Sequence, residues 1–166
     1  MNLAHQNTLI TIVGPTAIGK TALSIQLAKK FNASIISCDS RQFFKEMSIG
    51  TAVPDANELA AATHYFIQDR SVLEPYNVGS FERDVLKKLD TLFLKNSVQI
   101  MVGGSGLYVD AVLNGLDYFP EVDSKIREEL TLQLEIQGIE PLQQKLKKLD
   151  LETYNSIALD NPHRLM

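Results

Sequence analysis

The feature that most constrains this chain is the stretch Gly14-Pro15-Thr16-Ala17-Ile18-Gly19-Lys20-Thr21. It follows the apolar run LITIV at residues 9–13 and leads into Lys20–Phe31, where Leu23, Leu27 and Phe31 recur at helical spacing. A Gly-x4-Gly-Lys-Thr loop between a strand and a helix fits the P-loop pattern. In that setting backbone N–H groups and the helix N-terminus surround an anion, Lys20 adds a point charge, and the Thr21 hydroxyl can hold a magnesium ion. The loop therefore implies a ligand with a di- or triphosphate group. It does not say what the rest of that ligand is.

Strand-like runs at residues 9–13, 34–38, 65–67 and 98–102 alternate with helical patterns, the mark of a parallel sheet flanked by helices. Ser80 is the expected N-cap of a helix running to Leu94, with Val85, Leu89 and Leu92 on one face. The fold class expected is α/β, a P-loop doubly wound parallel sheet whose strand-end loops share one edge. The character changes near Asn114-Gly115. Beyond Pro120 only helical patterns occur: Ile126, Leu130 and Leu134 after Asp123; Leu142, Leu146 and Leu149 after Pro141; then Leu151, Tyr154 and Leu159. Asn161-Pro162 has the form of an N-cap and first-turn pair. Residues 1–115 are thus expected to form an incomplete P-loop α/β core. Residues 116–166 are expected to form an inserted all-helical subdomain that begins the return to the core and breaks off inside an element.

Composition matters mainly for what it excludes. With 45% apolar and 22% charged residues the chain is ordinary for a globular protein. Its apolar runs fall short of the roughly 20 residues a membrane span needs, and residues 1–6 lack the regions of a signal peptide. A lone cysteine, Cys38, agrees with a reducing compartment, so a cytoplasmic protein without a membrane partner is expected. The net charge is −4, neutral over residues 1–115 and −4 over residues 116–166, so charge alone gives no hint of a nucleic acid.

Two further motifs follow strands. Ser37-Cys38-Asp39-Ser40-Arg41-Gln42 puts a carboxylate at the sheet edge where ligands bind in such folds. Asp39 is either a magnesium-binding or structural residue, as in P-loop kinases, or a general base facing a nucleophile. Gly103-Gly104-Ser105-Gly106-Leu107-Tyr108 closes its strand with glycines and a serine, where a P-loop hydrolase often has an acid. Ser105 either reaches a phosphate oxygen or caps the next helix. His64 is expected to pack at a strand end, and Lys145, Lys147 and Lys148 to form a solvated face.

In this order the motifs resemble the tRNA dimethylallyltransferase, or tRNA isopentenyltransferase, family. The resemblance is carried by GPTAIGKT, by DSRQFFKEMSIGTAVP from Asp39, by YNVGSF from Tyr76, by GGSGLY and by the final NPHRLM. Ser105 stands where that family usually has Thr, Phe44 for Tyr, Val53 for Lys and Tyr65 for one of two adjacent His. The resemblance implies that residues 14–21 hold the diphosphate of dimethylallyl diphosphate, with Mg2+ on Thr21. It implies an acceptor at N6 of the adenosine just 3′ of a tRNA anticodon. Asp39 would be the general base, and Lys20, Thr21 and Ser105 would stabilise the leaving diphosphate. Ser40, Arg41 and Gln42 would read or hold the adenine, with Arg127 and Arg164 on the tRNA. On this resemblance the chain is an N-terminal portion, inactive alone and monomeric at full length. The competing readings are a small-molecule or nucleoside kinase using ATP and a nucleotide-binding regulatory domain.

Overall fold

A computed structural model describes residues 6–116 and 122–166. The chain divides into two compact units, one up to residue 117 and one from residue 118. In the first, β1 (Thr8–Val13), β2 (Ile35–Ser37), β3 (His64–Tyr65) and β4 (Val98–Gly103) form one parallel sheet in the order β1-β4-β2-β3. Helices α1 (Lys20–Phe31), α2 (Ala56–Ala61), α3 (Val78–Phe93) and α4 (Gly106–Asn114) complete this unit.

Side chains alternate across a strand, so neighbouring residues in β2 and β4 enter opposite layers. Ile35 and Ile100 pack with Ile25 and Ala28 of α1, while Ile36 and Met101 pack with Phe81, Val85, Leu89 and Leu92 of α3 and with Val109 and Val112 of α4. Helices thus cover both faces, and the sheet is doubly wound. Because all four strands are parallel, the segments after β1, β2 and β4 leave from the same edge. The loop at residues 14–19, Asp39 and Ser105 are therefore drawn together there.

Several sequence expectations need correction. The buried stripe of α1 is Ser24, Ile25 and Ala28; Leu23 and Phe31 lie exposed and Leu27 is half-buried. Small side chains let this helix approach the sheet closely, which pushes the larger residues to its flanks. Helix α3 begins earlier than Ser80: Asn77 is the N-cap, its side-chain oxygen accepting from the Ser80 N–H at 2.9 Å. The third strand stops at Tyr65 instead of running to residue 67, because Phe66 takes left-handed backbone with φ of 61°. Helix α2 was not foreseen. It is held by a reciprocal box in which Asp55 caps the Glu58 N–H and Glu58 caps the Asp55 N–H.

The second unit contains α5 (Ser124–Gln137), α6 (Glu140–Leu149), α7 (Leu151–Ser156) and α8 (Pro162–Leu165), with no strand among the described residues. Asp123 caps α5, Pro141 sits in the first turn of α6, and Asn161 caps α8. Leu142 is buried, but Leu149 and Leu151, expected on apolar faces, are largely exposed. Among the described residues no helix is long and apolar enough to cross a membrane.

Cys38 is wholly buried directly after β2. Burial, assisted by the neighbouring Asp39 carboxylate, pushes its thiol up to about 12. Thiolate is the reactive form, so the native chain at pH 8 is expected to resist iodoacetamide while the urea-unfolded chain is alkylated readily. Mass spectrometry of the two reactions checks this; equal labelling would refute the burial.

Candidate functional site

The loop after β1 has a backbone that could receive an anion. Ala17 and Gly19 hold left-handed backbone with φ of 65° and 94°, a conformation that turns amide N–H groups toward one side of a loop. Gly19 stands at the N-cap of α1 with no side-chain cap, which leaves the first helical amides open to a ligand. Lys20 Nζ donates to the carbonyls of Gly14 at 2.8 Å and Pro15 at 2.6 Å. These neutral acceptors hold the ammonium across the loop, where an anion would compete for it.

Thr16, Gly19, Lys20 and Thr21 line a cavity of about 280 Å³ together with Ser37, Asp39 and Gln42. Its wall also carries Ala52, Pro54, His64, Ile67 and Val102. Sequence reasoning missed all of these but His64, which it took for packing alone. His64 Nδ1 lies 2.8 Å from the Ala62 carbonyl and so donates to it, while Nε2 is buried and has no partner among the described residues. A polar ring on a strand bordering the cavity was the available signal.

Asp39 is half-buried and its geometry is local: Oδ1 accepts from the Arg41 N–H at 3.1 Å, and its carbonyl accepts from the Gln42 N–H at 3.0 Å. The second carboxylate oxygen has no donor among the described residues. Thr21 and Asp39 share the cavity, and among the described residues no cluster of three acidic, histidine or cysteine side chains exists. That donor set suits magnesium, which keeps several waters and takes one or two protein oxygens beside substrate phosphates.

Ser105 does not line this cavity, nor does its side chain cap α4. Its Oγ accepts from the Ser40 N–H at 3.0 Å and lies 3.2 Å from Ser40 Oγ, tying the turn after β4 to the turn after β2. The same two turns meet at Gly103, where a Cβ would stand 1.9 Å from the Cys38 carbonyl oxygen. Arg41 is exposed. Both N–H groups of the Gln42 amide are spent on protein carbonyls and its oxygen accepts from Ser37, so of the residues expected to hold a base it is the least free.

An aromatic cluster supports these turns from beneath. The Phe43 ring is buried 4.9 Å from Phe81 and 5.6 Å from Tyr76, centroid to centroid, and 5.7 Å from Tyr108. Tyr76 also donates to Asp84 and lies under the Arg70 guanidinium, which pairs with Asp84 at 2.6 Å. Burial holds the Tyr76 hydroxyl well above the usual phenol range. The aromatic members of three separate motifs thus meet to fix the segment that bears Asp39. In the second unit Arg127 is exposed beside Glu128, Thr131 and Glu135, and Arg164 is exposed on α8.

A family model described as IPP transferase matches residues 42–166. The chain belongs to the IPP transferase family. Among its relatives, the tRNA dimethylallyltransferase of Flavobacterium psychrophilum is 62% identical over 159 residues, covering 96% of this chain and 52% of the relative. That of Christiangramia forsetii is 59% identical over 160 residues, covering 96% and 53%. The chain therefore spans about half the length of the curated relatives it matches. Among solved structures, the full-length tRNA isopentenylpyrophosphate transferase of Bacillus halodurans superposes with a TM-score of 0.66 at 34% identity, over 96% of this chain and 53% of that one. A eukaryotic dimethylallyltransferase, described as acting on tRNA, superposes with a TM-score of 0.77 at 25% identity, over 96% and 40%. In this member of the IPP transferase family, a strand-end cavity joins the glycine-lysine-threonine loop to the carboxylates of Asp39 and Glu58.

Proposed function

We propose that this chain carries the donor site of an enzyme that moves a dimethylallyl group from dimethylallyl diphosphate to N6 of the adenine immediately 3′ of a tRNA anticodon. The observation that carries this reading is the convergence of Lys20, Thr21 and Asp39 on one cavity in a member of the IPP transferase family. The amine attacks the allylic C1, the C1–O bond breaks, diphosphate leaves, and the amine proton passes to Asp39.

An aromatic amine is a poor nucleophile, so both ends of the substitution need help. Asp39, whose second carboxylate oxygen has no donor among the described residues, acts as general base. Lys20 and the backbone N–H groups of residues 16–21 stabilise the charge growing on the leaving diphosphate. Magnesium, held by Thr21 and the diphosphate, would supply Lewis-acid neutralisation of the same charge. Ser105 orients the turn bearing Asp39 through Ser40. The adenine must leave its stack to reach Asp39, at a cost of a few kcal/mol. Arg41, Arg127 and Arg164 are proposed to meet the tRNA, whose loop is recognised by shape and splayed bases, so an acidic overall charge is tolerated. The setting proposed is cytoplasmic, with the complete gene product acting as a monomer.

The test separates prenyl transfer from a kinase reaction. The complete gene product, given Mg2+, dimethylallyl diphosphate, ATP and an unmodified anticodon stem-loop, is expected to add one five-carbon group to the RNA. Mass spectrometry decides; a mass gain of one phosphate, with no prenylated product, would overturn the reading.

A further inference from the structure

Among the described residues lining the cavity, Gln42 makes the most side-chain hydrogen bonds, and they join separate parts of the chain. Its Oε1 accepts from Ser37 Oγ at 2.9 Å, at the end of β2. Its Nε2 donates to the Thr51 carbonyl at 3.1 Å and to the Ala52 carbonyl at 2.9 Å. One amide therefore bolts residues 47–54 to the sheet. The loop is closed on itself at a second point, where the buried Thr51 hydroxyl donates to the Met47 carbonyl at 2.6 Å. Between these ties the backbone is held in left-handed conformations at Gly50 and at the non-glycine Ala52, with φ of 75° and 51°. Such a conformation at alanine persists only where surrounding contacts enforce it.

The loop supplies Ala52 and Pro54 to the cavity that holds the anion-binding groups, with Ile67 and Val102 nearby on the same wall. The diphosphate of a donor is met by Lys20 and the loop after β1; its hydrocarbon part needs an apolar wall of fixed shape. We infer that Gln42 is a positioning residue for donor selection: its amide fastens residues 47–54 as the wall against which the hydrocarbon part of an allylic diphosphate lies. This rests on the donor site proposed above, and it gives Gln42 a task other than contact with a base.

The consequence is a split between ligands that share a diphosphate. Gln42→Met keeps the length of the side chain and its lack of charge but removes all three bonds; Thr51→Val loosens the same loop at its other tie and leaves Gln42 intact. Equilibrium binding to the 166-residue chain and both variants, with Mg2+, compares inorganic diphosphate, dimethylallyl diphosphate and the ten-carbon geranyl diphosphate. For Gln42→Met, dimethylallyl diphosphate affinity is expected to fall about 10- to 30-fold, as loss of two modest hydrogen bonds to the loop would give, with inorganic diphosphate changed less than about 3-fold. The preference for the five-carbon over the ten-carbon ligand is expected to narrow in both variants. Equal loss for all three ligands would mean a general structural role and would overturn the inference, as would an unchanged five-carbon preference in both variants. A parent chain that binds dimethylallyl diphosphate no better than inorganic diphosphate would instead overturn the donor site itself.

Discussion

Asp39→Asn in the complete gene product is expected to slow prenyl transfer by about 10²- to 10⁴-fold, the range a positioned general base contributes. The structure makes asparagine the informative replacement. Asp39 Oδ1 accepts from the Arg41 N–H, and an amide oxygen can keep that bond and the turn it stabilises. What is lost is the second oxygen's capacity to take a proton. Single-turnover rates at saturating donor, with dimethylallyl diphosphate affinity measured beside them, separate the roles. A rate within about 3-fold of the parent, combined with collapsed donor affinity, would make Asp39 a magnesium or structural residue instead of a base.

Gly103→Ala is expected to be the most damaging single methyl in the first unit. The added Cβ would meet the Cys38 carbonyl oxygen at 1.9 Å, and that atom belongs to backbone at the end of β2, not to a side chain able to swing away. Overpacking of this kind costs about 3 kcal/mol or more, a large part of the stability of an ordinary domain. Any relief must separate β4 from the turn carrying Asp39, so diphosphate affinity should fall with the midpoint of urea unfolding. Gly104→Ala is the control, since its Cβ would stand 3.7 Å from the Gly14 carbonyl in ordinary contact. Equal midpoints for Gly103→Ala and the parent would show that the two turns do not approach so closely.

Much of the frame was legible from residue order, because alternating short apolar runs and helical patterns leave few topologies open. The placement of the loop at residues 14–19 between β1 and α1 was legible for a stronger reason: its glycine spacing follows from backbone geometry that few other residues allow. Helix faces were harder. In α1 the pattern of large residues pointed to Leu23 and Phe31, whereas close packing on the sheet selects Ser24 and Ala28. The cap of α3 was missed because asparagine and serine are both good caps, and only the fold decides between Asn77 and Ser80. At the site, Gln42 and Ser105 carried motif positions, but their partners lie up to 65 residues away in sequence, and no spacing rule announces such bonds. For His64 the sequence offered a polar ring at a strand end, but only the fold shows that its second nitrogen is buried beside the cavity.

The strand order has a temporal consequence. In the sheet β4 lies between β1 and β2, although it is made last of the four. β2 can pair with β3 before that, but until residues 98–103 slot between them no ladder joins β1, which leads into the loop at residues 14–19, to β2, which leads to Asp39. The two halves of the cavity therefore belong to one late, long-range folding event, of the slow kind that loop closure imposes on parallel sheets. If the proposed donor site is right, a nascent chain is expected to gain affinity for diphosphate only when the fourth strand arrives, so that ligand binding would serve as a clock for closure of this sheet.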